Sequence, residues 1–403
     1  MIKRLLCGGF CILFCMSCAE PPQKESVQER KAELAFERLL PKEVPDFIDD
    51  LDTGSLRTAV QKSMEFYGRV PADRTYPLGN LSVSVEHLKA TLTVFLRLMD
   101  AGKLNRESIN GLFDVYRASH TASEAKPLVT GYYEPILEGR LAATKEFCCP
   151  LYGLPPDLLI IDLELFNPAR YSGQRLVGRL NENRVVPYYN RHEIESLRKL
   201  DKYKKELVWL RDPVDVFFLH IQGSGMITFP GEKPRRVGYA GSNGRPYSSI
   251  GKVLMERGVI SPEEVSLQSV RAYLRAHPEI RDEVFRHNES YVFFQWIQEG
   301  PRGSLNVDLT AGRSIASDPS HHPRGALAFL ISEKPRLSAN GEVTGWEPLH
   351  RWVLNQDTGG AIKGVGRVDL FCGSGETAEQ MAGRLKQRGR LYFLLKKKDL
   401  EKQ

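Results

Sequence analysis

Two aspartates flank a glycine-rich turn near the end of the chain, and carboxylates spaced in this way could carry out acid/base chemistry. The stretch reads Asp357-Thr-Gly-Gly-Ala-Ile-Lys-Gly-Val-Gly-Arg-Val-Asp369. Glycines permit backbone shapes and close ligand approach that other residues resist, and Asp369 lies in Arg-Val-Asp-Leu-Phe, which alternates as a strand does. A carboxylate on a strand beside a glycine-lined groove is well placed to move protons on a polymer. The spacing alone leaves an equal alternative, in which both aspartates only cap turns.

A third aspartate and four upstream motifs extend this pattern. Asp318 lies in Arg-Ser-Ile-Ala-Ser-Asp-Pro-Ser-His-His-Pro-Arg-Gly, a short strand followed by an Asp-Pro turn. The upstream motifs are, in order, Thr130-Gly-Tyr-Tyr-Glu-Pro, His220-Ile-Gln-Gly-Ser-Gly, Gly238-Tyr-Ala-Gly-Ser-Asn-Gly-Arg-Pro-Tyr-Ser-Ser-Ile-Gly-Lys and Tyr291-Val-Phe-Phe. The ordered set covers roughly residues 120–395. It resembles the membrane-bound lytic transglycosylase A (MltA) family of peptidoglycan-cleaving enzymes, whose chains close with a three-aspartate (3D) domain.

The composition indicates a globular protein of two or three domains. The chain has 403 residues, of which 41% are hydrophobic and 26% charged, and this length exceeds one ordinary core. The formal charge is +6, and it becomes +4 when residues 1–17, which carry Lys3 and Arg4, are removed. A mildly basic chain favours an anionic polymer or surface. Without zinc-finger spacing, a Walker loop or an arginine-rich run, we expect no nucleic-acid partner.

The N-terminus has the pattern of a lipoprotein signal. Lys3 and Arg4 precede an apolar run, Leu5 to Met16, which is too short to span a bilayer comfortably. The segment resembles bacterial lipoprotein signals, which implies a signal peptide over 1–17, acylation of Cys18 and a polar tether over 18–50. Cys15 stands where the usual motif has leucine, so an ordinary secretory signal is the alternative. Ala19 is similar to the outer-membrane sorting rule, and we expect the periplasmic face of the outer membrane in a Gram-negative bacterium.

The remaining cysteines and the histidines predict neither a cofactor nor a metal site. Cys148, Cys149 and Cys372 lie in the body of the chain. Adjacent cysteines do not bridge easily, so at most one disulfide to Cys372 is expected, and plain buried thiols are favoured. The nine histidines are scattered and lack metal-ligand spacing.

Hydrophobic periodicity predicts a mainly β protein with flanking helices, an α+β fold. Two amphipathic helices are expected between residues 83 and 119, split near Gly102. Ser261-Pro-Glu-Glu predicts the start of helices that continue to about 287, and a last helix is expected over 376–388. Strands are predicted over 158–162, 185–189, 214–222, 226–229, 291–296 and 390–395.

The resemblance adds a domain arrangement and a mechanism. It implies a double-psi β-barrel catalytic domain from residues 51–133 plus 298–395, with the 3D segment at 303–395. It also implies a β-rich substrate-binding domain, 134–297, inserted into the first, with a glycan groove between them. In this family the C6 hydroxyl of N-acetylmuramic acid attacks C1, so one carboxyl group serves as acid and then base. That residue would be Asp369, supported by Asp357 and Asp318, and its pKa would have to be raised.

Other residues are predicted to bind the glycan. Tyrosine rings offer flat faces for sugars, and strand alternation would place only one of Tyr132 and Tyr133 in the groove. Gln222 and Ser224 form a polar bay for N-acetyl groups, with a plain hairpin turn as the alternative. The full predicted set is Thr130, Gly131, Tyr132, Tyr133, Gln222, Ser224, Tyr239, Gly359, Gly360 and Lys363.

The leading hypothesis is therefore a lytic transglycosylase that cleaves the β-1,4 bond between N-acetylmuramic acid and N-acetylglucosamine. A hydrolase on the same barrel and a non-catalytic wall-binding lipoprotein are the alternatives. The expected partners are peptidoglycan glycan strands and, through the lipid anchor, a membrane. Recruitment by proteins of cell-wall synthesis or division is left open.

Overall fold

The structure is a computed structural model that describes residues 36–118, 126–171 and 173–398. The predicted signal peptide and residues 18–35 of the predicted tether, including Cys18, lie outside these residues. The prediction that the tether extends to residue 50 is wrong, because Phe36–Arg38 forms a strand and Leu39, Val44 and Phe47 are buried in the largest core. In the described part, none of the helices has the length and hydrophobicity that crossing a bilayer requires.

Strands predominate, as the periodicity predicts, and the helices are short. The helices are α1 Thr53–Tyr67, α2 Val85–Asp100, α3 Arg106–Leu112, α4 Pro168–Tyr171, α5 Arg191–Glu195, α6 Pro213–Gln222, α7 Ile250–Glu256, α8 Leu267–Ala276, α9 Pro278–Arg286 and α10 Glu376–Arg384. The strands are β1 Phe36–Arg38, β2 Thr75–Leu78, β3 Leu81–Ser84, β4 Phe113–Ala118, β5 Leu128–Glu134, β6 Ile136–Arg140, β7 Cys149–Tyr152, β8 Leu159–Asp162, β9 Arg175–Asn181, β10 Arg184–Pro187, β11 Glu206–Leu210, β12 Ser224–Thr228, β13 Arg235–Ser242, β14 Val292–Ile297, β15 Ser314–Ala316, β16 Leu327–Leu337, β17 Val343–Asp357, β18 Arg367–Ser374, β19 Lys386–Arg388 and β20 Arg390–Lys396.

A mixed sheet joins the two ends of the chain. Its strand order is β1-β4-β20-β16-β17-β15-β18-β5-β19, with parallel pairs at β15–β17 and β5–β18. The largest hydrophobic core lies against this sheet and includes residues of α1 and α2. At its centre Trp352 makes edge contacts with Phe95 and Phe329. Aromatic packing of this kind is a large source of burial energy, so the helices fix the sheet that carries Asp357 and Asp369.

The middle of the chain forms a second set of sheets with separate cores. Its larger sheet has the order β14-β13-β12-β6-β11-β7, and its smaller one the order β10-β9-β8. One core packs α6 against α7, α8 and α9, and a second lies between α6 and the larger sheet. Helix α6, which ends at Gln222, is therefore held from two sides.

The prediction of a strand over 214–222 is wrong, because this segment is helix α6. Asp212 caps it by accepting a hydrogen bond from the Val214 amide, Pro213 occupies its first turn, and Gly223 closes it with φ +76°. The helix is buried on nearly all sides. A continuous apolar run of this length does not distinguish a buried strand from a buried helix.

Three other boundaries also differ from the sequence prediction. Residues 113–118, which were expected to continue a helix, form β4 between β1 and β20. Ser261 and Glu264 close only one turn, and α8 begins later with Ser266 as its cap. The last helix ends at Arg384 because the chain then pairs with β5 as β19. In each case tertiary pairing or a nearer cap overrides the local pattern.

Buried charges connect the two sets of sheets. Glu134 is fully buried at the end of β5; it accepts a hydrogen bond from the Ser374 hydroxyl (2.5 Å) and pairs with Nε of Arg236 (3.0 Å). On the other side of the junction, Arg271 of α8 pairs with Glu379 of α10. Removing one partner of a buried pair leaves an uncompensated charge, so these contacts set the relative position of the two parts.

Candidate functional site

The two aspartates of the glycine-rich segment lie in one row across four neighbouring strands. Ala316 of β15 pairs with Asp357 of β17 on one side and with Asp369 of β18 on the other. Asp369 in turn pairs with Thr130 of β5. Residues directly opposite each other in a sheet project from the same face. The fold therefore brings both carboxylates and Thr130 to one surface.

This surface lines a groove with a volume of about 1040 Å³. The groove runs between the mixed sheet and the middle part of the chain. It is lined by every predicted catalytic and glycan-binding residue except Asp318, namely Thr130, Gly131, Tyr132, Tyr133, Gln222, Ser224, Tyr239, Asp357, Gly359, Gly360, Lys363 and Asp369. A cavity of this size accommodates an extended ligand with several polar contacts.

Asp369 has fewer hydrogen-bond donors around it than the other groove carboxylate, Asp357. Its side chain is 16% exposed, and its Oδ1 is buried without a hydrogen-bond partner. The nearest cation is Arg367, with Nη2 3.7 Å from Oδ1. Desolvation raises the pKa of Asp369 to about 6; the Arg367 charge opposes the shift and the Asp357 charge adds to it. Asp369 can therefore carry a proton near neutral pH.

Asp357 is surrounded by hydrogen-bond donors instead. Its Oδ1 accepts from the amides of Ser304 and Thr358, both at 2.8 Å, and its Oδ2 accepts from the Tyr132 hydroxyl at 3.0 Å. Burial still raises its pKa to about 6, although these donors oppose the shift. Because its oxygens are occupied, Asp357 is suited to orienting Tyr132 and to placing negative charge near Asp369.

Asp318 lies outside the groove lining and supports the glycine-rich loop from behind. Its Oδ2 accepts from the Gly364 amide at 2.7 Å, and its Oδ1 accepts from the amide and hydroxyl of Ser320. Burial alone would raise the pKa of Asp318, but these hydrogen bonds outweigh it and lower the pKa. Gly364 has φ +76°, a conformation that favours glycine. The geometry gives Asp318 no contact with the groove, so its catalytic role stays a prediction.

Both tyrosines of the Thr-Gly-Tyr-Tyr motif border the groove. Only Tyr132 is partly exposed, whereas Tyr133 packs in a small core with Ala378 and Ala382, in agreement with the alternation. Tyr132 packs against Phe371 with ring centroids 5.3 Å apart. Tyr133 is only 2% exposed, and its hydroxyl accepts from Nη1 of Arg271 at 3.0 Å. Tyr133 therefore forms part of the floor, while the hydroxyl of Tyr132 points to Asp357.

The middle part of the chain contributes uncharged polar groups to the facing wall. Gln222 is the last residue of α6, and its Oε1 accepts from the Tyr133 amide at 3.0 Å. Ser224 opens β12 and is nearly buried, whereas Tyr239 on β13 is 54% exposed. The Gln-Gly-Ser segment is thus a helix end followed by a strand, not the hairpin turn considered as an alternative.

The groove glycines have different local roles. Gly131 allows α10 to approach β5, since a Cβ there would lie 2.8 Å from the Ala382 backbone. Gly359 could not accept a side chain without displacing Ile362, 2.8 Å from the Cβ position, whereas the Cβ position of Gly360 faces Tyr247 at 3.9 Å. Lys363 in the same loop is exposed. The loop therefore supplies backbone surface and one cation to the groove.

Three residues near the carboxylates were missed at the sequence level. Arg367 also reaches the Thr130 hydroxyl at 3.4 Å, and strand alternation could have found it, because it lies two residues before Asp369. Ser304 and Tyr247 line the groove as well. Tyr247 lies in the motif that begins at Gly238 but was not chosen as a site residue. No local signal marks Ser304, which approaches the site only through long-range folding.

The sequence matches two family models. The model of the MltA specific insert domain matches residues 128–295, and that of the 3D domain matches residues 313–395. Membrane-bound lytic murein transglycosylase A of Escherichia coli K12 is 35% identical over 268 residues, which cover 66% of this chain and 64% of that protein. The match thus spans just under two thirds of this curated relative.

Solved structures show the same similarity over more of the chain. A membrane-bound lytic murein transglycosylase from Agrobacterium tumefaciens has a TM-score of 0.73 at 29% identity, covering 90% of this chain and 98% of that one. E. coli MltA with bound chitohexaose has a TM-score of 0.68 at 26% identity, covering 90% and 94%. From these matches and the resemblance of its motifs, the chain belongs to the membrane-bound lytic murein transglycosylase A (MltA) family.

Proposed function

We propose that this protein is a peptidoglycan lytic transglycosylase in which Asp369 serves as acid and then as base. The observation that carries the proposal is the placement of Asp369, whose pKa is raised to about 6 and which lies in a groove lined by the predicted glycan contacts. The names of the relatives, and the oligosaccharide bound to one of them, support a glycan ligand.

The chemistry requires one proton donor that is later regenerated. Protonated Asp369 gives its proton to the glycosidic oxygen as the bond from C1 to that oxygen breaks. The Asp369 carboxylate then takes the proton of the C6 hydroxyl while the C6 oxygen bonds to C1. This step yields a 1,6-anhydro ring and restores the protonated acid. With a pKa of about 6, about one tenth of the molecules hold this proton at pH 7. Tyr132, Gln222, Ser224, Tyr239 and the glycine-rich loop hold the sugars.

The strand pairing supports the expected double-psi β-barrel. Strands β19 and β20 are separated only by Gly389; β19 pairs with β5 and β20 pairs with β16. The pairings β16-β17, β17-β15, β15-β18 and β18-β5 lead from β20 round to β19. This order supports a barrel, although β19 remains an edge of the sheet. We propose residues 51–133 plus 298–395, together with the packed segment 36–50, as this catalytic domain and 134–297 as the inserted substrate-binding domain.

A lipid anchor at Cys18 and a site on the periplasmic face of the outer membrane remain part of the proposal. Two or more acyl chains on one residue satisfy the requirement for stable anchoring. We expect Cys18→Ala to release the protein into the soluble fraction or to block its processing. Unchanged membrane fractionation of a correctly cleaved variant would contradict the anchor.

The decisive experiment is product analysis. Purified protein acting on murein sacculi in ¹⁸O-labelled water should release 1,6-anhydromuropeptides without label at C1. Labelled reducing ends would instead identify a hydrolase. Binding without any bond cleavage would identify a non-catalytic wall protein.

A further inference from the structure

The charges that line the groove are strongly unequal. Among the described residues the lining contains two carboxylates, Asp357 and Asp369, but six cations: Arg191, Arg245, Arg302, Lys363, Arg367 and Lys386. The four arginines each have an acidic partner within 4 Å. For Lys363 and Lys386, no described residue forms an ion pair. Lys363 is already a predicted glycan contact, whereas Lys386 has had no role.

Lys386 lies in the same row of residues as the two groove carboxylates. It pairs with Thr130 in β5, and Thr130 pairs with Asp369 in β18. Directly opposite residues share a face, and neighbouring strands are about 4.8 Å apart, so the Cα atoms of Lys386 and Asp369 are about 10 Å apart. Lys386 is exposed and lines the groove. Its flexible side chain carries a point charge that can follow a ligand across this distance.

We propose that the Lys386 ammonium binds a carboxylate carried by the muramoyl residue whose C1 lies at Asp369. The inference rests on the proposed function, because that function places the muramoyl ring there. The lactyl ether of muramic acid is attached at C3 of the same ring. A carboxylate can therefore come from the free lactyl group or, in peptide-bearing strands, from the stem peptide. N-acetylglucosamine oligomers have neither group.

Lys386 thus selects muramoyl-containing strands over neutral glycans. A different role is conceivable for a lysine on a short edge strand, since edge lysines discourage strand-to-strand aggregation. The two roles differ in what they predict for glycan affinity. An aggregation-blocking lysine affects no glycan, whereas a carboxylate-binding lysine affects only anionic ones.

The test compares Lys386→Gln, Lys386→Arg and Lys233→Gln in the full-length protein. Lys233 is exposed in the turn between β12 and β13 and does not line the groove, so its variant matches the loss of one charge. Calorimetric Kd values are measured in an Asp369→Asn background, so that no substrate is consumed. The ligands are peptide-free muroglycan oligosaccharides, the same oligosaccharides with stem peptides, and chitohexaose.

We expect Lys386→Gln to weaken binding of an anionic oligosaccharide about 5- to 10-fold, and to leave chitohexaose binding unchanged. Lys386→Arg should retain most of the affinity, and Lys233→Gln all of it. The difference should shrink at 0.5 M salt. A loss confined to the peptide-free ligand identifies the lactyl carboxylate, and a loss confined to the peptide-bearing one identifies the stem.

Two results would overturn the inference. Equal losses on all three ligands would make Lys386 a structural residue, and no loss on any of them would make it a solvated edge lysine. These Kd values do not depend on bond cleavage. If the wild-type protein released no anhydro products, the proposed reaction would fail while the carboxylate subsite could still be measured.

Discussion

The two walls of the groove differ in what they contribute. The mixed sheet supplies both carboxylates, Asp357 and Asp369, from the two strands, β17 and β18, that flank one glycine-rich segment. The opposite wall, built from the middle of the chain, supplies Gln222, Ser224 and Tyr239. None of the carboxylates in the described lining comes from that wall.

This division separates bond breaking from glycan binding. Proton transfer requires a carboxyl group with a raised pKa, and the sheet provides it by burying Asp369 among its neighbours. Binding of the neutral hydroxyl and amide groups of a sugar requires hydrogen-bond partners but no proton transfer. Substitutions of the two carboxylates in the sheet should therefore lower kcat, and substitutions in the facing wall should mainly raise KM.

The largest effect is expected for Asp369→Asn. The amide keeps the shape of the side chain but cannot transfer the proton, so kcat should fall by about 10²- to 10⁴-fold or more. Release of anhydromuropeptides measures turnover, and glycan binding should survive. Asp318→Asn is the matched control, because Asp318 lies behind the loop, and it should cost less. If a folded Asp369→Asn protein retained most of its turnover, the catalytic acid would have to be a residue other than Asp369.

The next effect is a change in pH dependence. A catalytic acid is active when protonated, so activity should fall as the pH rises through about 6, the pKa of Asp369. The Asp357 charge raises this pKa, so Asp357→Asn should move the alkaline limb to lower pH and reduce turnover at pH 7 about 3- to 10-fold. The Arg367 charge lowers it, so Arg367→Gln should move the limb to higher pH. If the alkaline limb moved in the same direction in Asp357→Asn and in Arg367→Gln, the electrostatic explanation would be contradicted.

A smaller effect is expected on the opposite wall. Gln222→Ala removes a glycan contact and the acceptor of the Tyr133 amide, which costs about 1–3 kcal/mol when left unpaired. We expect KM for murein to rise about 10-fold with kcat changed less. Gln222→Glu keeps the acceptor oxygen and separates the two contributions. A fall in kcat without a rise in KM would contradict the separation of bond breaking and glycan binding between the two walls.

The smallest effect concerns stability. The pKa of Asp369 is raised from 3.8 to about 6. Burial of its carboxyl group therefore does not lower the free energy of unfolding below about pH 4, where the group is protonated in both states. The loss of stability grows as the pH rises and is complete above about pH 6. Asp369→Asn should therefore increase the free energy of unfolding by about 1–3 kcal/mol at pH 8 and little at pH 4. Urea unfolding at both pH values measures this difference. An equal gain at both would point to packing instead of charge.

The sequence predicted which residues meet in the groove better than it predicted the helices and strands that carry them. The pattern around Asp369 indicated a strand, and the structure confirms it as β18. The predicted groove residues converge because they belong to motifs with special residue types. Helix α6 was missed because its burial removes the periodicity that separates helices from strands. Ser304, Tyr247 and the pairing of Lys386 with Thr130 depend on contacts between distant segments, which local patterns do not encode.

The hydrogen bond from Tyr132 to Asp357 joins residues 225 positions apart, and the parallel pairing of β5 with β18 closes a similar span. Contacts of this kind form late in folding, because closing a long loop loses chain entropy before the new contacts contribute any stability. The segment from 134 to 366 must be in place before Thr130 and Tyr132 can lie beside Asp369 and Asp357. A nascent or truncated chain that lacks β18 therefore cannot form this part of the groove, and we expect the proposed cleavage of the wall only from the completed fold.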